Sequence, residues 1–292
     1  MNNKVIFPEG LADFLYWVKE TTESYWHKVD PQKSIYGAKW LPLSEAQIDG
    51  LESKYSIKFD VEHRTFLRIL HTIDKYYDQD ESGQQEEQDP PPADNVATEE
   101  MKKAGKFRTP PYRPSFFYNW LTDKEWIESR LTWVGDHFID DILSVNRSWL
   151  RSWGPRPESD DEKIRIFREW YHQAPRLLPI KAHTFLMADG GRGLRPVMSV
   201  YGFDTIISAW SLRHFLIREL GEELGLTAIY YDEDYPEGYK DLVKGNPELD
   251  ALQAIRLDEA DIPYWKEPLT YYQYPGRETW QGFGIPWSIP KS

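Results

Sequence analysis

The chain has no cysteine in 292 residues, which removes disulfides, thiol nucleophiles and thiolate-held metal sites together. Long apolar runs are missing as well. No stretch approaches the roughly 18 apolar residues a bilayer-spanning helix needs, and the opening MNNKVIFPEGLADFLYW lacks the unbroken apolar centre of a secretion signal. A cytoplasmic setting with no membrane partner is expected. Neither Gly-x4-Gly-Lys-Ser/Thr nor Gly-x-Gly-x-x-Gly occurs, so phosphate-cradling loops of those types are excluded, and no Gly-x-Ser-x-Gly nucleophile turn is present. Bases are outnumbered: 35 Lys and Arg against 48 Asp and Glu leave a net charge of −13. That sign opposes phosphate, so no nucleic-acid partner is expected.

What the chain does have is aromatic mass and unevenly placed acid. Its 13 Trp, 18 Tyr and 13 Phe imply a core built largely of rings. Positions 78–100 carry nine acids and no base around Pro90-Pro91-Pro92. Such a composition buries too little apolar surface to order itself, so a disordered acidic insertion at about 78–105 is expected. A second acidic block, net −9 over 222–261, reads as a folded surface. Within it Tyr230 is followed by Tyr231, Asp232, Glu233, Asp234 and Tyr235. Acids interleaved with rings suit a basic protein partner, the charges steering association and the rings supplying buried area. The competing reading is a solvated loop whose tyrosines pack inward.

Periodicity supplies the elements. Leu11, Phe14, Leu15, Val18 and Tyr25 predict an amphipathic helix over 8–28, read as part of a helical extension (1–39) to a domain over 40–292. Ser44 with Gln47 forms a capping-box pattern, Asp60 caps a helix facing inward through Phe66, Leu67, Leu70 and Ile73, and Thr122 with Glu125 repeats the box. Positions 142–145 read as a strand. Ser159 or Asp160 opens a further helix with Ile164, Phe167 and Tyr171 inward. Positions 177–182, 197–201 and 203–208 read as strands, with Gly190-Gly191-Arg192-Gly193 as a turn between the first two. Ser211 then caps a helix through Leu212, Phe215, Leu216 and Leu220 that stops at Gly221. Strands this close together pair as hairpins, which predicts an α+β fold, a mainly antiparallel sheet packed against several helices on one face.

Candidate chemistry is thin. None of the seven histidines pairs with another at metal-ligand spacing. Asp136, His137, Asp140 and Asp141 share helix faces, but a solvated face explains them better than a divalent site. His183 has no assignable nucleophile or acid and reads as a hydrogen-bonded structural histidine. With 48 carboxylates, glycosidase-type acid pairs can be drawn almost at will and carry no weight. No catalytic residue, cofactor or metal is assigned.

Five short pieces recur in a fixed order: Leu43-Ser44-Glu45-Ala46-Gln47-Ile48 with Leu51-Glu52; Trp153-Gly154-Pro155-Arg156-Pro157; Pro179-Ile180-Lys181-Ala182-His183; Pro196-Val197-Met198-Ser199-Val200-Tyr201-Gly202-Phe203-Asp204; and Ile262-Pro263-Tyr264-Trp265. With a helix over 60–70, these resemble the SMI1/KNR4 family of the SUKH superfamily across roughly 40–265. Thr184 after His183 and Arg195 before Pro196 depart from the family pattern. The resemblance implies a SUKH-like fold and a protein that binds rather than catalyses: bacterial members act as immunity proteins against a cognate toxin, and fungal members are linked to cell-wall synthesis signalling. The expectation is therefore a non-enzymatic immunity protein whose partner is a basic toxin domain, met through Tyr231, Asp232, Glu233, Asp234 and Tyr235. A regulatory or scaffold protein recruiting partners through the acidic insertion is the alternative.

Overall fold

The computed structural model describes residues 5–75, 117–145, 147–188 and 194–271. The acidic insertion at 78–105, the turn at 190–193 and the chain after 271 lie outside the described residues.

In chain order the elements are α1 (Leu11–Trp26), β1 (Trp40–Leu41), α2 (Glu45–Tyr55), α3 (Val61–Ile69), β2 (Thr72–Ile73), α4 (Lys124–Leu143), a 3-10 turn (Arg151–Trp153), α5 (Asp160–Gln173), β3 (Leu177–Lys181), β4 (Thr184–Met187), β5 (Val197–Tyr201), β6 (Asp204–Ala209), α6 (Leu212–Glu219), β7 (Thr227–Tyr230), β8 (Tyr239–Leu242), α7 (Pro247–Gln253) and α8 (Lys266–Thr270). Strands β3 to β6 form one antiparallel meander, β3-β4-β5-β6. The fold is α+β.

Helix starts follow their caps. Ser44 and Gln47 close a reciprocal box, the Gln47 side chain accepting the Ser44 N–H at 2.8 Å and the Ser44 hydroxyl accepting the Gln47 N–H at 3.3 Å, so two orphan donors of α2 are satisfied together. Asp60 accepts the His63 N–H at 2.7 Å with one carboxylate oxygen and binds Arg195 at 2.7 Å with the other. One buried carboxylate thus starts α3 and ties it to the lead-in of β5. Ser211 accepts the His214 N–H at 3.1 Å and starts α6.

Two expectations fail along α4. The box at Thr122 does not form, because Asp123 is the N-cap and its carboxylate turns back to accept the Asn119 N–H at 2.9 Å and the Thr122 hydroxyl at 3.1 Å. Positions 142–145 are not a strand. The helix runs on to Leu143 because Ile142 continues its inward stripe with Val134 and Phe138, and all three are buried. Along α5 the buried residues are Phe167, Trp170 and the aliphatic stem of Lys163, while Ile164 is only half-buried.

The larger correction concerns the meander, which is covered on both faces. Leu178, Ile180, Leu186, Val197 and Ala209 join a core with α1, α2, α3 and α6. Their neighbours Leu177, Phe185, Met187, Met198 and Val200 point the other way, into a second core with α4, α5, Trp153 and Trp265. Successive side chains of a strand alternate faces, so a strand apolar at consecutive positions must be buried twice. Leu177, Leu178 and Ile180 meet that condition, as do Phe185, Leu186 and Met187.

The β3 edge is sealed by the segment entering α4: the Tyr118 N–H donates to the Ile180 carbonyl at 3.1 Å and its hydroxyl to the Ala182 carbonyl at 2.6 Å. That pairing blunts an otherwise open edge. At the amino end, α1 buries Phe14, Leu15, Val18 and Trp26 in the first core, and the Trp40 indole N–H donates to the buried Thr22 hydroxyl at 2.8 Å. About half of the residues behind the family resemblance are buried packing groups. Trp153, Ile262 and Trp265 lie in the second core, Leu43, Ile48 and Leu51 in the first.

Candidate functional site

Strands β7 and β8 form a two-stranded sheet of their own, with Ile229 opposite Lys240 and Tyr230 opposite Tyr239. Low β-propensity in Tyr-Lys-Asp-Leu hid this hairpin from a reading by sequence. The available signal was the short apolar run Thr227 to Tyr231, followed by Pro236-Glu237-Gly238 as turn chemistry. Its base is fixed to the first core. Leu226 and Leu242 are buried there, and the Val243 N–H donates to the Leu226 carbonyl at 2.8 Å. Glu222 takes the Lys240 ammonium at 2.7 Å and the Tyr25 hydroxyl at 3.2 Å. A two-stranded hairpin is marginal on its own, so this anchorage holds the tip in place.

Tyr231, Asp232, Glu233, Asp234 and Tyr235 make up that tip, and all five are exposed. The tyrosines do not pack inward: Tyr231 is 68% and Tyr235 56% exposed. One Asp232 carboxylate oxygen accepts the N–H groups of Asp234 at 3.0 Å and Tyr235 at 2.8 Å, an Asx turn that fixes the bend. Glu233 and Asp234 direct their charge to solvent from a rigid support.

The two faces of the hairpin differ. On one, the Tyr235 and Tyr230 rings flank Tyr239 at centroid distances of 5.6 and 6.0 Å, and the Lys244 ammonium lies 4.5 Å over Tyr230. On the other stand Ile229 and Tyr231, two positions apart, both over Gly238. A Cβ at Gly238 would come within 2.7 Å of the Ile229 methyl and 2.8 Å of the Tyr231 ring. The bare glycine, at φ +87°, therefore serves both the turn and the seating of these side chains.

No family model matches the chain, and comparison with curated proteins and with solved structures yields no match either. The site has to be judged on its geometry. No helix among the described residues is long and apolar enough to cross a membrane.

The remaining candidates from the sequence are dispersed by the fold. Asp141 turns inward to accept the Phe203 N–H at 2.8 Å, and burial pushes its carboxyl pKa up. His137 stacks on Trp133 at 3.8 Å with Nδ1 held by the Trp133 carbonyl at 2.9 Å, while Asp136 and Asp140 stay exposed. Among the described residues no group of His, Asp and Glu gathers as metal ligands. His183 is exposed in the β3–β4 turn, not the structural histidine expected there, and it is its carbonyl that accepts the Val200 N–H at 3.1 Å.

The structural histidines are His63, His71 and His214. His71 is 1% exposed; its Nδ1–H donates to the Leu41 carbonyl at 2.9 Å and its Nε2 accepts the Trp120 N–H at 3.0 Å. Those two neighbours fix the tautomer and require a neutral ring. A groove of about 1240 Å³ beside α2 and α3 is bordered by Arg64 and Arg195, but both are held by carboxylates, Arg64 by Glu45, Asp49 and Glu52 and Arg195 by Asp60. The third arginine on its lining, Arg176, donates to the Ser56 carbonyl at 2.8 Å.

Proposed function

We propose that this chain is a non-catalytic binding protein that neutralises a cognate toxin by gripping a basic surface of it. The observation that carries this reading is the hairpin tip, where exposed Tyr231 and Tyr235 flank Asp232, Glu233 and Asp234 on a support anchored to the core. Exposed rings rimmed by like-signed charge match the composition of protein interfaces, where aromatic anchors contribute area and acids steer a basic partner. The family resemblance in the sequence points the same way, and it supplies the toxin as partner.

Growth rescue is the test. Expressed together with the toxin encoded beside it, the chain is expected to restore growth, and unchanged killing overturns the reading. Reversing two tip charges, Glu233→Lys with Asp234→Lys, is expected to weaken toxin binding about 100-fold, largely through slower association at low salt. Surface plasmon resonance at two ionic strengths measures this. Deleting 78–105 should leave neutralisation intact, whereas under the scaffold alternative that deletion abolishes the chain's function and no rescue from a toxin is seen with or without the insertion.

A further inference from the structure

One face of the hairpin leaves more apolar surface open to a partner than the other. On the Tyr230, Tyr239 and Lys244 side the rings and the ammonium over Tyr230 cover one another, and Tyr235 leans on Tyr239 while staying 56% exposed. The Tyr230 hydroxyl also donates to the Leu242 carbonyl at 3.3 Å and accepts the Lys244 N–H at 3.0 Å. Opposite it, Ile229 is 60% and Tyr231 68% exposed. Cross-strand partners share a face, so Lys240 belongs with Ile229. Lys240 does not cover Ile229, because Glu222 draws its ammonium away toward the hairpin base.

That pull leads into a cleft. Between α1 and the start of β7 lies a cavity of about 500 Å³ whose polar walls include Glu20, Tyr25, Glu222 and Glu223, with Leu224 and Gly225 beside them. Glu222 is taken by Lys240, which leaves Glu20 and Glu223 against Lys28, the one base on the lining. Burial pushes the Glu223 carboxyl pKa up, which marks a carboxylate partly withdrawn from water. Glu222 belongs to both features, holding Lys240 from β8 and the Tyr25 hydroxyl from α1. From Tyr231 to Ile229 is two strand positions, about 7 Å, and Lys240 carries the path from there to the cleft.

Resting on the binding function proposed above, we infer that the docking surface is the Ile229–Tyr231 face of the hairpin together with the α1–β7 cleft. Its occupant is a basic polypeptide segment that lays apolar side chains on Ile229 and Tyr231 and inserts one arginine or lysine between Glu20 and Glu223. An apolar strip with a shallow acidic hollow beyond the Lys240–Glu222 pair accommodates a segment with apolar side chains and one side chain that is aliphatic along its stem and cationic at its head. An acidic patch alone would bind any cation; a shallow acidic hollow next to the apolar strip demands both chemistries in one segment. The tip carboxylates then act at longer range, on the rate of encounter, while the face and cleft set residence time.

The test uses the full chain and two short probes, acetyl-Leu-Arg-Leu-Arg-amide and its counterpart with citrulline in place of arginine. Citrulline keeps the shape and loses the charge. Titration is followed by amide chemical shifts. The arginine peptide should shift Thr21, Ser24, Gly225 and Ile229, the citrulline peptide should bind at least about tenfold more weakly, and Glu20→Gln with Glu223→Gln should remove the difference. Equal response to both probes, shifts confined to Asp232–Asp234, or no shifts at the cleft overturns the surface. The Gln variants preserve volume, and circular dichroism confirms their fold. Carried into the growth assay, Ile229→Ser and the Glu pair variant should lose rescue. Rescue retained by both variants rejects the surface while leaving the function standing; failure of the unsubstituted chain rejects the function, and the titration still decides the surface.

Discussion

Gly202→Ala is expected to cost the fold about 2–5 kcal/mol, read as a shift in the urea midpoint. Gly202 turns β5 into β6 at φ +57°, and a Cβ there would overlap the Asp141 carboxylate and lie 2.9 Å from the His137 carbonyl. The left-handed conformation alone costs a non-glycine residue about 1–2 kcal/mol. Relieving the overlap forces Asp141 away from the Phe203 N–H it accepts at 2.8 Å, and an unmade buried hydrogen bond adds about 1–3 kcal/mol. Neither neighbour yields easily, since one is helix backbone and the other is held by its own bond. Gly225 is the control: it has φ +67° with nothing within 4 Å of a Cβ. Gly225→Ala should lose only the conformational part. Equal losses at the two positions would remove the steric account.

The second large effect is acid unfolding. Burial lowers the pKa of His63 to about 3 and of His71 to about 4. An unfolded histidine titrates near 6.5. The native state therefore holds both rings neutral while the unfolded state takes up protons below that value. Stability is complete above pH 6.5 and falls as the pH drops toward 4, by about 1.4 kcal/mol per unit for each ring once the unfolded state is protonated. Two rings give about 3 kcal/mol per unit, against a total of about 5–15 kcal/mol for a domain. His214, also lowered to about 4 by burial, acts in the same direction. Its Nδ1 accepts the Trp210 N–H at 3.2 Å.

Buried carboxyls oppose part of this. Glu62, Asp141, Glu223 and Glu267 are pushed up by burial, so they bind protons in the folded state first and favour it as the pH falls. The histidine part is isolated by substitution. His63 Nε2 has no hydrogen-bond partner among the described residues, and its ring lies against Phe59 at 4.7 Å. His63→Phe should therefore fold and flatten the slope between pH 6 and 4 by about 1.4 kcal/mol per unit. An unchanged slope would show that the ring is already charged in the native state.

Local chemistry made parts of this fold legible. The caps at Ser44, Asp60 and Ser211 form as their spacing indicates, and β5 spans Val197–Tyr201 as its alternation does. Strand β4 was hidden because Thr184 to Met187 follows Lys181 by a two-residue turn with Ala182 at φ +47°, a conformation that sequence does not advertise for alanine. The one-face expectation fails because consecutive apolar positions mark a strand locally, whereas burial on both sides depends on which helices pack there. The acidic aromatic tip was visible as composition. Ile229 and the cleft were not, since they belong together only after α1 is brought beside β7, and nothing local in Glu20 or Glu223 refers to the other.

The four-stranded meander is a wall common to two rooms. Strands β4 and β5 have neighbours on both edges and a core on each face, so their amides open to solvent only when both cores give way. Deuterium exchange at Phe185, Leu186 and Met198 should therefore proceed at the rate of global unfolding, and damage to either core should quicken it equally. A lesion near Trp265 would then be felt by amides facing α1 on the far side of the sheet, making the chain one cooperative unit despite its two hydrophobic interiors.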